Sequence, residues 1–247
     1  MESDGFNSRM NFYQRSDLTP DAQRLLAAYD QEISELLGPD YPHPVRMRDW
    51  ELCRVLQATA GLSKDARILD TGAFNTYLGL HLARLSRHVT VSDLLWTRAL
   101  KSALRRLGLA PAKPTEAGYL TWRRVMRRHG LRVRNIDLTR INLPDASFDC
   151  IISLSVIEHI PAIERALAEM YRVLAPGGRL LVTTDCSREP VPFAHGVRYF
   201  SEAELEQLFA GYPVTSPRNH PDFARENWCY GGRQPVITSF VEITKPR

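Results

Sequence analysis

No two cysteines in the 247-residue chain are spaced as C-x-x-C. The four present, Cys53, Cys150, Cys186 and Cys229, lie far apart. That argues against a zinc site or a disulfide framework and for reduced thiols in a cytoplasmic protein, with no metal ligand set assigned. Also missing is any apolar run near the roughly 20 residues of a membrane span, so no membrane partner is expected. Met1 to Asp17 is polar and contains acids, unlike a signal or transit peptide. No internal repeat is present. One stretch is poor in acidic residues. Between Trp96 and Arg134, eleven lysines and arginines face only Glu116, although the net charge is just +4. Such a stretch attracts phosphate, carboxylate or nucleic acid; the competing reading is a solvated helix face whose long stems cover apolar surface.

What is present is ordinary globular composition, 44% hydrophobic and 24% charged, enough for one large domain with small additions. Pro20 to Leu37 carries apolar residues at a helical period, with Thr19 suited to the N-cap, Pro20 to the first position and Gly38-Pro39 to the stop. A second helix is expected from about Arg48 to Ala60. Alternation then begins. "ARILD", "HVTVSD", "LRVRNID", "FDCIISLS", "RLLVTT" and "VITSFVEITK" read as strands. "TYLGLHLARLS", "AIERALAEMYRVLA" and "SEAELEQLFA" read as helices, the second stopped by Pro176-Gly177-Gly178 and the last opened by a Ser201/Glu204 capping box. Strands and helices alternating in this way predict an α/β fold with a doubly wound, mostly parallel sheet.

Ligands of such sheets bind outside the carboxyl ends of the strands. Here those ends carry Asp70, Asp93, Asp137 and Ser155. A carboxylate at Asp93 can accept from both hydroxyls of a ribose, which suits NAD and S-adenosylmethionine alike. The loop "ILDTGAFNTYLG" separates them by the glycines it lacks. A dinucleotide needs glycine for close approach of its pyrophosphate and again for helix–strand packing, and Phe74 and Thr76 stand in those places. S-adenosylmethionine carries no phosphate. Its carboxylate needs donors, which the next helix supplies from its N-terminus, with Asn75 or Thr76 as cap.

The segment "NIDLTRINLPDASFDCIISLSVIEHIPAIERALAEMYRVLAPGGRLLVTT", with the later "RYFSEAELEQLF", resembles the class I S-adenosylmethionine-dependent methyltransferases of the small-molecule type, over roughly Ala66 to Phe209. The resemblance implies a Rossmann-like sheet of about seven strands whose last strand is antiparallel. It further implies that Asp70, Thr71, Gly72, Ala73, Phe74 and Asn75 form the first motif, near the methionine end of the cofactor. Asp93 would hold the ribose, with Leu94 against the adenine. Asp137 would bind the adenine amino group beside a backbone donor at Leu138. Leu154 and Ser155 would face the sulfonium and the acceptor. Three organisational units follow: a flexible leader at 1–17, an N-terminal helical lid at 18–62 with Tyr29, Tyr41 and Trp50 set aside for substrate, and the methyltransferase core at 63–247. The core carries a basic helical insertion at about 96–131.

Methyl transfer is an in-line displacement in which positioning supplies much of the acceleration, and a base is needed only when the acceptor must lose a proton. His159 and His195 are the imidazoles near the sheet edge and the candidate catalytic residues. "S-V-I-E-H" is also similar to a metal-binding Glu-x-x-Glu-His cluster, but Ser155 replaces its first glutamate, so Glu158 is read as structural. The expected activity is methylation of an oxygen, or else a nitrogen, on a small-molecule acceptor such as a secondary metabolite. The alternatives are an RNA or protein methyltransferase that uses the basic insertion with Tyr119 and Trp122, and a non-catalytic scaffold on the same fold.

Overall fold

The computed structural model describes residues 10–38, 49–74, 76–94, 117–194, 196–229 and 235–247. Seven strands form the main sheet. In chain order they are β1 (Asn11–Phe12), β2 (Arg67–Thr71), β3 (His88–Asp93), β4 (Arg132–Asn135), β5 (Phe148–Leu154), β6 (Leu174–Ser187) and, after a separate hairpin of β7 (Val191–Ala194) and β8 (Val197–Tyr199), β9 (Val236–Thr244). Their spatial order is β1-β9-β6-β5-β2-β3-β4. Strands β2, β3, β4, β5 and β6 are mutually parallel, while β9 runs antiparallel to both β6 and β1. The chain therefore leaves β2 toward β3 and β4, then returns to place β5 on the other side of β2. That reversal opens the crevice where ligands of such sheets bind.

Central strands buried on both faces must be continuously apolar. Residues Ile68, Leu69, Ile151, Ile152, Leu180, Leu181 and Val182 are accordingly fully buried. One face is covered by α1 (Pro20–Leu37), α2 (Asp49–Thr59), α3 (Leu78–Leu85) and α4 (Ala117–Arg128), the other by α5 (Ile163–Val173) and α6 (Glu202–Phe209). The caps anticipated for two helices form: Thr19 accepts from the Ala22 amide, and Ser201 and Glu204 make a reciprocal capping box.

The acidic and basic residues of the long signature segment tie the scaffold together. Asp149 receives Arg67 through Nε at 3.0 Å and Nη2 at 2.7 Å, and also accepts the Arg67 amide at 2.8 Å, clamping the starts of β2 and β5. Arg172 of α5 bonds Asp145 and Glu169, and donates to the carbonyls of Ile141 and Leu143. Glu169 in turn accepts the Ile141 amide. The turn before β5 is thus bound to α5 by charge-assisted hydrogen bonds.

Several details differ from the sequence-based expectations. Asn11 and Phe12, within the expected leader, pair with Phe240 and Ser239 of β9 as an edge strand. The Asn219 side chain bonds both the amide and the carbonyl of Phe12, at 2.5 and 2.7 Å, and so occupies the strand's open side. Helix α5 ends at Val173, before Pro176-Gly177-Gly178, because Leu174 already pairs with Phe148 in the sheet. Helix α3 opens at Leu78 with Tyr77 as its cap, so Thr76 does not cap it; the Thr76 hydroxyl bonds the Ala73 carbonyl instead.

The stretch around Trp122, expected to form an added basic helix, forms helix α4 and packs against the sheet. Trp122 and Met126, one turn apart, are completely buried beside α3 and β3, while Arg124, Arg127 and Arg128 are exposed. An apolar stripe of that spacing must seat on the sheet, and this buries the indole that base stacking would require. The Tyr119 side chain, Tyr41 and residues 95–116 lie outside the described residues.

Candidate functional site

A cavity of about 480 Å³ lies at the carboxyl edge of β2, β3 and β5, where the strand order reverses. It falls within the usual range of small-molecule sites. Eight of the residues anticipated from sequence line it: Gly72, Phe74, Asp93, Leu94, Asp137, Leu138, Ser155 and His159. Asp70, Thr71, Ala73 and Leu154 support it from behind and do not line it. Asn75 and His195 lie outside the described residues. Tyr29 and Trp50, expected to face substrate, are instead buried in the core between α1, α2 and the sheet.

The first loop works without the glycines it lacks. Phe74 packs edge-to-face on Trp122 of α4, with ring centroids 6.0 Å apart and planes at 86°. Its amide donates to Asp93 Oδ2 at 3.3 Å, and the Ala73 amide donates to the Ser92 carbonyl at 2.9 Å. From the other side the Tyr29 hydroxyl of α1 donates to the Thr76 carbonyl at 3.0 Å. Close helix–strand packing is met one turn later by Gly79, where a Cβ would stand 2.5 Å from Val91. Gly72 is needed for two reasons: its φ is +60°, and a Cβ there would lie 2.4 Å from Val156 Cγ2. The loops after β2 and β5 therefore touch directly.

Asp70 is fully buried, and its carboxyl is pushed up to about 8, first by burial and then by the negative charge of Asp93. Both causes favour its neutral form, behind a cavity lined by Asp93. Asp137 accepts the Thr139 amide at 2.9 Å and the Thr139 hydroxyl at 2.7 Å through a single oxygen, an Asx turn that holds the carboxylate at the mouth. Ser155, just after β5, lies in the left-handed region with φ 52°. Such a backbone costs about 1–3 kcal/mol and persists only where its surroundings hold it. Here the Ser155 amide donates to Thr183 Oγ1 at 2.9 Å, and its hydroxyl donates to Glu51 Oε2 at 2.5 Å.

His159 and Glu158 are adjacent in sequence but face different partners. Glu158 is buried and accepts from the Thr184 hydroxyl at 3.0 Å. His159 is exposed at the cavity, and its Nδ1 lies 2.7 Å from the Gly196 carbonyl in the turn between β7 and β8. A carbonyl only accepts, so Nδ1 carries the proton. In the neutral imidazole Nε2 is then the proton acceptor.

Reading the sequence did not find Ser92, Ile136, Thr139, Val156, Ile160 or Pro161, which also line the cavity. Thr139 carried a signal, standing two residues after Asp137 as an Asx turn requires. Glu51 was missed as well, although Glu51, Val55 and Thr59 repeat every fourth residue and are all buried on one face of α2.

The fit of this set to S-adenosylmethionine rests on its donors and acceptors: a carboxylate at the end of β3, another two residues past β4, apolar Leu94 and Ile136 between them, and, among the described residues, no arginine or lysine lining the cavity to meet a pyrophosphate. Comparison with known proteins agrees. Residues 69–182 match the model of a methyltransferase domain family. Phosphatidylethanolamine N-methyltransferase of Cereibacter sphaeroides is 24% identical over 179 residues, covering 71% of this chain and 73% of that protein. The ubiquinone/menaquinone biosynthesis C-methyltransferase UbiE of Methylobacterium nodulans is 62% identical, but over only 39 residues, 16% of each chain. Among solved structures, the Burkholderia thailandensis 1,6-didemethyltoxoflavin-N1-methyltransferase, with its substrate and S-adenosylhomocysteine bound, superposes with a TM-score of 0.55 at 19% identity, covering 96% of this chain and 95% of that one. The strand order, the cavity at its reversal and the matched segment agree: the chain carries a methyltransferase domain over residues 69–182, on a fold shared with S-adenosylmethionine-dependent methyltransferases.

Proposed function

We propose that the protein methylates an oxygen or nitrogen atom of a small-molecule acceptor that must lose its proton during the reaction. The observation that carries this reading is the His159–Gly196 hydrogen bond, which leaves Nε2 as the proton acceptor of the neutral imidazole on a residue that lines the cavity. Within the same reading, Asp93 accepts from both ribose hydroxyls. Leu94 covers one adenine face, and Asp137, held by Thr139, accepts from the adenine amino group. Gly72 and the first loop take the methionine end; Asp70 supports them from behind, and the Ser155 turn faces the methyl group. The relatives named above carry nitrogen and carbon acceptors in their names, so the acceptor atom is argued from this cavity and not inherited.

S-adenosylmethionine, when bound, supplies a methyl group activated on a sulfonium. The chain supplies position and proton transfer. It holds the acceptor oxygen or nitrogen in line with the methyl group, excludes water at the Ser155 end, and takes the acceptor's proton on His159 Nε2 as the new bond to carbon forms. The Gly196 carbonyl then stabilises the imidazolium through its existing Nδ1 bond. The proton leaves to solvent, because His159 is exposed.

Calorimetry with S-adenosylmethionine and S-adenosylhomocysteine comes first, then transfer of labelled methyl to a panel of small phenols, hydroxy acids and amines. His159→Ala should lower turnover by about 10²–10⁴-fold while leaving cofactor affinity within about twofold. Equal loss of affinity and turnover would count against a proton-transfer role. Cofactor binding with no transfer to any acceptor would favour a non-catalytic scaffold.

A further inference from the structure

The cavity does not explain Glu51. This carboxylate lies on α2, is 1% exposed, and does not line the cavity. It nevertheless gathers hydroxyl donors from three strands of the sheet: Ser155 Oγ just beyond β5 at 2.5 Å, Thr183 Oγ1 within β6 at 2.5 Å and Thr238 Oγ1 near the start of β9 at 3.1 Å. Two of these donors close a ring, since Thr183 Oγ1 also accepts the Ser155 amide at 2.9 Å. Ser155 is held by its main chain and its side chain together. It is also a non-glycine cavity residue with left-handed backbone, next to the Val156 side chain that touches Gly72. A buried carboxylate is costly to place in a core, and this one is aimed at the strained turn.

We infer that Glu51 is a positioning residue for methyl transfer: acting through Ser155, it fixes the turn at the end of β5 that closes the methyl end of the cofactor cavity, and so couples helix α2 to cofactor binding. The inference rests on the methyltransferase reading of the cavity. A carboxylate that merely stabilised the sheet would hold α2 in place without altering the affinity of the folded protein. A positioning carboxylate acts through one serine, and its effect disappears when that serine no longer needs holding.

The test is a double-mutant cycle on the full chain, read as S-adenosylhomocysteine affinity by calorimetry with thermal melting alongside. Glu51→Ala should weaken binding about tenfold in the native background. Glycine adopts a left-handed backbone without support, so in a Ser155→Gly background the same change should cost less than about twofold. An equal loss in both backgrounds, or a lowered melting temperature with unchanged affinity, would overturn the inference. If Glu51→Ala does not fold, Glu51→Gln decides. It keeps the volume and one carbonyl acceptor, and should cost about threefold in the native background and nothing measurable beside Ser155→Gly; the same effect in both backgrounds would again overturn it. Wild-type protein that bound no S-adenosylhomocysteine would overturn the cofactor reading and this inference with it. Normal wild-type binding with an uncoupled cycle overturns this inference alone.

Discussion

Replacing Gly72 by alanine tests how the two loops at the crevice support each other. The new Cβ would stand 2.4 Å from Val156 Cγ2 and 3.1 Å from Cγ1, against 3.4 Å or more for an ordinary contact. One side chain must therefore shift by about 1 Å, and Val156 is β-branched, half-buried and follows the left-handed Ser155. Overpacking of this kind costs about 1–3 kcal/mol, and a non-glycine residue at φ +60° adds about 1–2 kcal/mol. Gly72→Ala should thus lose about 2–5 kcal/mol, divided between thermal stability and affinity for S-adenosylhomocysteine. A second substitution separates the parts. Val156→Ala removes both γ-carbons and leaves its Cβ at the tolerable 3.4 Å. The double variant should regain the steric part and retain only the backbone part, about 1–2 kcal/mol. Melting curves and calorimetry on the four proteins measure this. A Gly72→Ala protein that melts and binds like wild type, or a double variant that gains nothing, refutes the reasoning.

Further expectations concern charge. Asp93→Ala should weaken cofactor binding by about 1.5–3 kcal/mol, the scale of hydrogen bonds to a charged group, as measured by calorimetry. Asp70 has a folded pKa raised to about 8, so its contribution to stability is complete below about pH 4 and lost as pH rises to about 8. Asp70→Asn should flatten that decline in urea titrations, and an unchanged slope would contradict the burial argument. Asp149 and Glu169 are shifted the opposite way, each chiefly by its hydrogen bond to an arginine, Arg67 and Arg172 respectively. Their contribution is present above the ordinary carboxylate value of about 4 and lost as pH falls through their lowered values. Arg67→Met or Arg172→Met should reduce the loss of stability seen between pH 4 and pH 2.

Much of the fold could be read from local pattern because parallel strands buried on both faces leave unmistakable apolar runs, and helices between them keep a 3.6-residue period. Where reading failed, the deciding contacts were distant in sequence. The stretch around Trp122 has the composition of a basic surface helix. Its seat on the sheet is made with Phe74, nearly fifty residues away, whose ring meets the indole edge-to-face. Asn11 and Phe12 have no strand signature of their own and become one only because β9 leaves an open edge and Asn219 closes the other side.

Sequence alone located the acids Asp70, Asp93 and Asp137 at the carboxyl ends of the strands, and the segment that matches the methyltransferase model, because buried parallel strands leave apolar runs whose ends can be read. Only the tertiary structure decided what each group can do. Phe74 anchors the loop because Trp122 stands opposite it. Asp70 has a raised pKa because it is buried and Asp93 is near. His159 presents Nε2 because a carbonyl thirty-seven residues later holds Nδ1. Glu51 reaches the site through a serine more than a hundred positions away. Protonation, tautomer and strain are properties of three-dimensional surroundings, and no local pattern of residues encodes them.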